Sequence, residues 1–245
     1  MNTQSILFTG GSGLLGKEMK TVIPDAFFPS SKDFDITDME GMSDTLTVMN
    51  QVGDPIHTLV HMAAFVSPPK VEQDPIKALN INITGTANIV TLCQKYNIRL
   101  VYISTDYVFN GLKGNYSETD PLYPVNKYAW SKLGGECAVK LYDKHVIIRL
   151  SFGPNEFPYE GAYVDQWTSR EPVKEIVQKI TKIIRSDFIG TIHIGSKGRT
   201  VYDYAKYVSP DKDIKEIFIK DAKTKVPHDT TLNTNKFDTF VTGGW

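Results

Sequence analysis

Cysteine is scarce in this chain of 245 residues, occurring only as Cys93 and Cys137. Neither has a second cysteine or a histidine at metal-ligand spacing, which sets aside a zinc site and a disulfide framework. Both fall in stretches that read as helix, so buried free thiols in a reducing compartment are expected. An excess of charge of one sign is lacking too. Lys and Arg number 27 against 28 Asp and Glu, for a net charge of -1, which leaves nucleic-acid binding no electrostatic footprint. No run approaches the roughly 20 apolar residues of a membrane span. No charged leader with an apolar stretch precedes the strand-like segment at Ser5, so the cytoplasm is the expected compartment.

What is present suits a globular protein: 41% hydrophobic and 22% charged residues, and enough chain to bury roughly 70% of its unfolded surface. Over the first 150 residues, short apolar runs alternate with longer segments of helical period. That alternation predicts an α/β fold, a Rossmann-type doubly wound parallel sheet with crossover helices. Strands are expected near Ser5 to Thr9, Ala26 to Phe28, Thr58 to His61, Arg99 to Ser104, His145 to Arg149 and Thr191 to Ile194. A helix should follow the cap Asp74-Pro75 and run to Tyr96, with Ile76, Leu79, Ile83, Ala87, Val90 and Cys93 as its apolar stripe. A second runs from Asn126 to Asp143, where Gly134 and Gly135 suggest close packing, and a third from Val173 to Arg185. Residues 1–150, with 172–195 added, read as a dinucleotide-binding domain. Residues 151–171 and 196–245, punctuated by Gly and Pro, read as a small substrate lobe.

Gly10, Gly13 and Gly16 fall between the first strand and the first helix. One glycine makes a tight turn, one admits a pyrophosphate and one lets helix pack on strand, while the helix amides face the phosphates. The pattern alone is weak, and a structural turn is the alternative; its placement strengthens it. The carboxylate for an adenosine 2'-hydroxyl should come about 20 residues later. At that tip stand Pro29-Ser30-Ser31-Lys32. Hydroxyls and an ammonium suit a 2'-phosphate better than a bare ribose, which favours NADP over NAD; a solvated loop with an incidental lysine is the other reading.

Tyr128 and Lys132 lie four residues apart on one helix face. Drawing a phenol from its free pKa of about 10 toward neutrality takes roughly 4 kcal/mol of preferential phenolate stabilisation, which a lysine and cofactor charge could supply. Such a pair is common on solvated helices and would mean little alone. The strand Leu100 to Ile103, however, ends in Ser104-Thr105-Asp106-Tyr107, placing hydroxyls and a carboxylate at the carboxyl edge of a parallel sheet, where ligands bind in such folds.

With Thr9 to Gly16, Met62-Ala63-Ala64, Ser104 to Gly111, Tyr116-Ser117-Glu118, Pro124 to Tyr128 and Ser131-Lys132, the chain resembles the extended short-chain dehydrogenase/reductases, and among them the dTDP-4-dehydrorhamnose reductase family. Val164-Asp165-Gln166 and Asp229 to Lys236 resemble motifs of that family's second lobe. The resemblance implies NADPH-dependent reduction of a 4-keto group on a nucleotide-linked deoxysugar. In that reading Tyr128 is the general acid, Lys132 holds the nicotinamide ribose and tunes Tyr128, and Thr105 bonds the carbonyl. Gly10, Ser12, Gly13, Leu14, Leu15, Ser31, Lys32, Asp35, Ile36, Met62, Ala63, Ala64 and Ile103 would contact the cofactor. Asn82 would support the active-site helix on the cofactor side, and Asp106, Tyr107 and Phe152 would face substrate. No metal is implied, and a homodimer is compatible with the resemblance.

Three departures stand out. The segment from Gly153 to Val164 is short, Phe152 stands where a Trp is frequent, and His61 where an Asn is frequent. The short segment predicts a wide cleft walled by Phe152, Asp165 and Gln166. His57, His145, His193 and His228 read as surface or core-edge residues. Two alternatives stay open: a nucleotide-sugar epimerase of the same fold, and a non-catalytic NAD(P)-binding regulatory subunit. Tyr107, where dehydratases usually carry Glu, argues against dehydration.

Overall fold

The computed structural model describes residues 5–243; Met1 to Gln4, the stretch read for a leader, lie outside the described residues. In chain order the first half runs β1 (Ile6–Thr9), α1 (Leu14–Val22), α2 (Met39–Val52), β2 (Thr58–His61), α3 (Pro68–Gln73), α4 (Pro75–Ala78), α5 (Thr86–Tyr96), β3 (Arg99–Ile103), α6 (Lys127–Val139) and β4 (His145–Arg149). Four short strands follow, β5 (Phe152–Gly153), β6 (Gly161–Tyr163), β7 (Trp167–Thr168) and β8 (Glu171–Pro172). Then come α7 (Val173–Ile184), β9 (Gly190–His193), β10 (Arg199–Thr200), α8 (Val201–Val208), β11 (Lys215–Ile217) and α9 (Asn235–Val241).

The central sheet is parallel, in the order β1-β2-β3-β4-β9. Its strands alternate between two apolar layers, as strands buried on both faces must. Ile6, Phe8, Val101, Val146 and Ile148 meet α1 and α7 through Leu15, Met19, Ile176 and Ile180. Leu7, Leu100, Tyr102 and Ile147 meet α2, α5 and α6 through Met42, Leu46, Ile89, Leu92 and Val139. Helices on both faces make this the α/β doubly wound architecture.

The segment Ala26 to Phe28 does not form a strand of its own. It contributes a single parallel bridge, Phe27 to Leu7, with hydrogen bonds from Phe8 N to Phe27 O (2.8 Å) and from Phe27 N to Ile6 O (2.9 Å). The chain leaves at once for the Pro29 to Lys32 tip, which keeps the contact short. Because Phe27 lies on one side of β1 and β2 on the other, the winding reverses at β1, the place where such sheets bind ligands.

The helix expected from Pro75 to Tyr96 is interrupted. Leu79–Gly85 widens into a π-helical turn between α4 and α5. The extra residue shifts the helical phase, so Val90 and Cys93 are buried while Ile76 and Leu79, the first members of the predicted stripe, stay exposed. Helix α6 ends at Val139, short of Asp143. Its glycines do pack closely: a Cβ at Gly134 would stand 2.6 Å from Ile83 Cδ1. Cys93 is buried, but Cys137 is exposed on α6, contrary to the expectation of two buried thiols. At the C-terminal end, α9 belongs with the sheet rather than the lobe, since Phe237 is buried in the layer formed by α1 and α7. A separate small core of Phe157, Ala162, Val201, Tyr204, Ala205 and Ile214 holds the lobe.

Candidate active site

A cleft of about 920 Å³ runs along the carboxyl edge of the sheet. At one end is the glycine turn. Gly10 has a φ of +76°, and a Cβ there would sit 2.7 Å from the Ala63 amide nitrogen. Only glycine allows that turn and that approach. At Gly16 a Cβ would collide with the Gly10 carbonyl, so the third glycine sets helix against strand. Gly13 caps α1 without any side-chain hydrogen bond, leaving helix amides available to an anion. A bare cradle of this shape at a helix N-terminus fits a dinucleotide pyrophosphate.

Gly10, Ser12, Gly13, Leu14 and Leu15 line this end, as do Ser31, Lys32, Asp35 and Ile36 from the loop beyond Phe28. Ser30 Oγ donates to Asp33 Oδ2 (2.6 Å) and accepts from Lys32 N (3.2 Å), which shapes the tip. Lys32 is exposed and makes no ion pair among the described residues. Asp35 is occupied by Thr37, accepting from its amide at 2.9 Å and its hydroxyl at 2.8 Å. Met62, Ala63, Ala64 and Ile103 line the middle. Asn82 does not line the cleft. Its Oδ1 accepts from Phe65 N (2.7 Å), and its Nδ2 donates to Phe65 O (3.0 Å) and to Ser131 Oγ (2.8 Å), so it braces α6 from the π-turn.

Thr105, Tyr128 and Lys132 converge on the same cleft. Asn126 starts α6 by accepting from Ala129 N at 2.9 Å, which turns Tyr128 toward the end of β3. Burial holds the Tyr128 phenol above its ordinary pKa, with the Thr105 hydroxyl the largest opposing influence. The phenol therefore stays protonated, the form a proton donor needs. Lys132 is buried, its Nζ 2.9 Å from Ile103 O and 4.2 Å from the Tyr102 ring centroid. Burial pulls its pKa down to about 7, opposed by the Glu136 carboxylate one turn on. Glu136 is itself buried against Arg149 (2.8 Å) and accepts from Ser104 Oγ at 2.5 Å.

Asp106 borders the cleft, but its carboxylate is already satisfied: Oδ1 accepts from Thr105 (3.1 Å), and Oδ2 from Thr168 (3.1 Å) and Thr230 (2.6 Å). Burial raises its pKa and these hydroxyls oppose the rise. It orders Thr105. Tyr107 packs edge-on to Tyr128, with ring centroids 6.4 Å apart, and its hydroxyl accepts from Gln166 Nε2 at 2.8 Å.

Phe152 lines the outer end, as expected, but Asp165 and Gln166 do not. Gln166 is buried behind Tyr107, and Asp165 accepts from Ile219 N at 2.9 Å. The wall is built instead by Leu150, Ser151, Pro154, Tyr159 and Arg170, none of which carries a motif. His193 is fully buried rather than at the core edge. Its Nδ1 lies 3.0 Å from Tyr116 O and its Nε2 3.4 Å from Arg149, and burial, helped by the Arg149 charge, lowers its pKa to about 3.

The model of the RmlD substrate binding domain matches residues 4–157, more than half of the chain. The chain belongs to that family. Among its relatives, the dTDP-4-keto-6-deoxy-D-glucose reductase of Streptomyces niveus is 28% identical over 83% of this chain and 77% of that protein. Methionine adenosyltransferase 2 subunit beta of Rattus norvegicus is 26% identical over 83% of this chain and 70% of that protein. The solved dTDP-4-dehydrorhamnose reductase of Bacillus anthracis, in complex with NADP, shares the fold with a TM-score of 0.85 at 24% identity, over 97% of this RmlD-family chain and 92% of that one. No helix among the described residues is long and apolar enough to cross a membrane.

Proposed function

We propose that this RmlD-family protein reduces a 4-keto group on a nucleotide-linked deoxysugar with NADPH as the preferred reductant. The observation that carries the reading is a single cleft in which the glycine turn, Thr105, Tyr128 and Lys132 all take part. Gly10, Ser12, Gly13, Leu14 and Leu15 would hold the pyrophosphate, Ser31 and Lys32 the 2'-phosphate, Asp35 and Ile36 the adenine, and Met62, Ala63, Ala64 and Ile103 the stretch between. Bound there, the cofactor supplies hydride. Lys132 holds the ribose hydroxyls. Thr105, whose hydroxyl now donates to Asp106, turns it to the substrate carbonyl, and neutral Tyr128 gives its proton to the developing alkoxide. Tyr107 and Phe152 face the sugar.

Net oxidation of NADPH by the purified protein with 4-keto-6-deoxy nucleotide sugars tests this directly. Turnover of a nucleotide sugar without net cofactor consumption would instead mean epimerisation, in which the cofactor is regenerated. A subunit-like role, as in the methionine adenosyltransferase relative, requires NADP binding with no turnover of any such substrate; the Thr105, Tyr128 and Lys132 set favours the enzyme.

A further inference from the structure

The glycine pair of α6 bears on the active-site lysine as well as on helix packing. A Cβ at Gly135 would collide with the Tyr102 hydroxyl, so the missing side chain is what admits the Tyr102 ring beneath α6. Tyr102 is fully buried on β3, and its hydroxyl donates to Lys132 O at 3.2 Å. His61, its partner in register on β2, packs against the ring at a centroid distance of 5.7 Å. The ring is thus fixed at its tip and at its side, and Lys132 Nζ stands over it, 4.2 Å from the centroid.

An ammonium has three N–H donors and no lone pair. Lys132 gives one donor to Ile103 O at 2.9 Å, and a second side of the group rests on the Tyr102 face. A carbonyl oxygen and a π face both attract a cation and offer a lone pair nothing. Both therefore favour the charged amine over the neutral one, in a place where burial works against the charge. What remains of the group borders the cleft, which Lys132 lines.

The other titratable groups around Lys132 are already committed. On α6, Glu136 is bonded to Arg149 and Ser104, and burial keeps the Tyr128 phenol protonated. On β2, His61 is neutral, and beyond β3 the Asp106 carboxylate accepts from three threonine hydroxyls. Tyr102 itself stays a neutral phenol, because burial raises it. Among the described residues, Ile103 O and the Tyr102 ring are the groups that hold the Lys132 nitrogen directly.

We propose that Tyr102 is a positioning residue whose ring face keeps Lys132 an ammonium and sets it at the cleft, so that the cofactor ribose meets a cation rather than an amine. That the ribose lies at Lys132 rests on the reductase reading; the charged state of Lys132 does not.

NMR titration of the Lys132 Cε resonance in the cofactor-free protein, assigned by its absence in Lys132→Met, tests this together with NADPH affinity at about pH 6 and about pH 8. Tyr102→Phe removes the hydroxyl, keeps the face and serves as the reference. Fluorinated phenylalanines at position 102 then keep the size of the ring while withdrawing electrons from its face. Successive fluorines should lower the Lys132 midpoint by about half a pH unit or more in total, and weaken NADPH binding about threefold at the higher pH with little change at the lower. A midpoint that is the same with plain and fluorinated rings overturns the proposal, as does a midpoint that moves while NADPH affinity stays put. If Tyr102→Phe does not fold, fluorotyrosines at the same position carry the comparison against the unaltered protein. NADPH affinity unchanged in Lys132→Met would remove the ribose from Lys132, and the proposal with it. If midpoint and affinity shift as expected but no keto nucleotide sugar is reduced, the reductase reading alone fails.

Discussion

Thr9 and His61 share a 2.7 Å hydrogen bond that ties the residue before the glycine turn to the end of β2. The direction of donation follows from the neighbours. Thr86 Oγ1 donates to Asn82 O (2.7 Å), so it accepts from His61 Nε2 (3.1 Å), and His61 Nδ1 is left to accept from Thr9. Thr9 Oγ1 in turn accepts from the amides of Met62 and Ala63, each at 3.2 Å. The ring must be neutral to do this, and burial, aided by the Lys132 charge, lowers its pKa to about 3.

His61→Leu should therefore cost about 2 to 3 kcal/mol through unpaired buried partners and weaken NADPH binding, whereas His61→Gln, which can both donate and accept, should restore part of each. His61 and His193 both stay neutral when folded. An unfolded histidine takes up a proton near pH 6.5, so the stability they contribute is complete above that value and is lost as pH falls toward 3. Denaturant midpoints measured across that window should drop less steeply in His61→Leu and in His193→Leu.

Removing the phenolic hydroxyl with Tyr128→Phe should leave fold and NADPH affinity intact and lower the reduction rate by about 100-fold or more, the scale of a lost proton donor. Lys132→Ala should reduce cofactor affinity as well as turnover, and Thr105→Val should cost less than either. Near-wild-type turnover in Tyr128→Phe would mean that Tyr128 is not the acid.

Lys132 is held near a pKa of about 7, far below an unfolded lysine at about 10.4. Between those values the unfolded chain binds the extra proton, so folding stability from this group rises with pH through that window and is absent below it. Lys132→Met should stabilise the cofactor-free protein more at about pH 6 than at about pH 10. Thermal melts at the two pH values decide the point, and an equal shift at both would sink it.

Glu136 and Arg149 are each almost fully buried and bonded through both carboxylate oxygens. Glu136→Gln strands the guanidinium, at a cost of about 3 to 5 kcal/mol. Pairing it with Arg149→Met should recover part of that loss, which chemical denaturation of the single and double variants would measure.

Lys32 is exposed at the adenosine end without an ion-pair partner. Lys32→Ala should narrow the preference for NADPH over NADH by about 1 kcal/mol, the scale of one charge-assisted contact. Equal affinities for the two cofactors in the unaltered protein would remove the basis for the assignment.

Local signals determined much of this molecule. Strands buried on both faces must be short and continuously apolar, and Gly10 and Gly16 are demanded by backbone geometry, so the sheet and its ligand-facing turn could be read from the chain. Tyr128 and Lys132 lie one helical turn apart, which sequence spacing alone sets. Other features depend on groups distant in sequence. The π-turn at Leu79–Gly85 leaves no trace in hydrophobic period, yet it aims Asn82 at Ser131, 49 positions away. Gln166, read as a cleft residue, is drawn behind Tyr107 by a hydrogen bond across 59 positions. Arg170 carries no motif, and its place in the cleft wall arises only when the lobe folds against β4. Periodicity reports which face of an element is buried, but which polar groups meet across elements is decided by packing, and there the tertiary structure alone could speak.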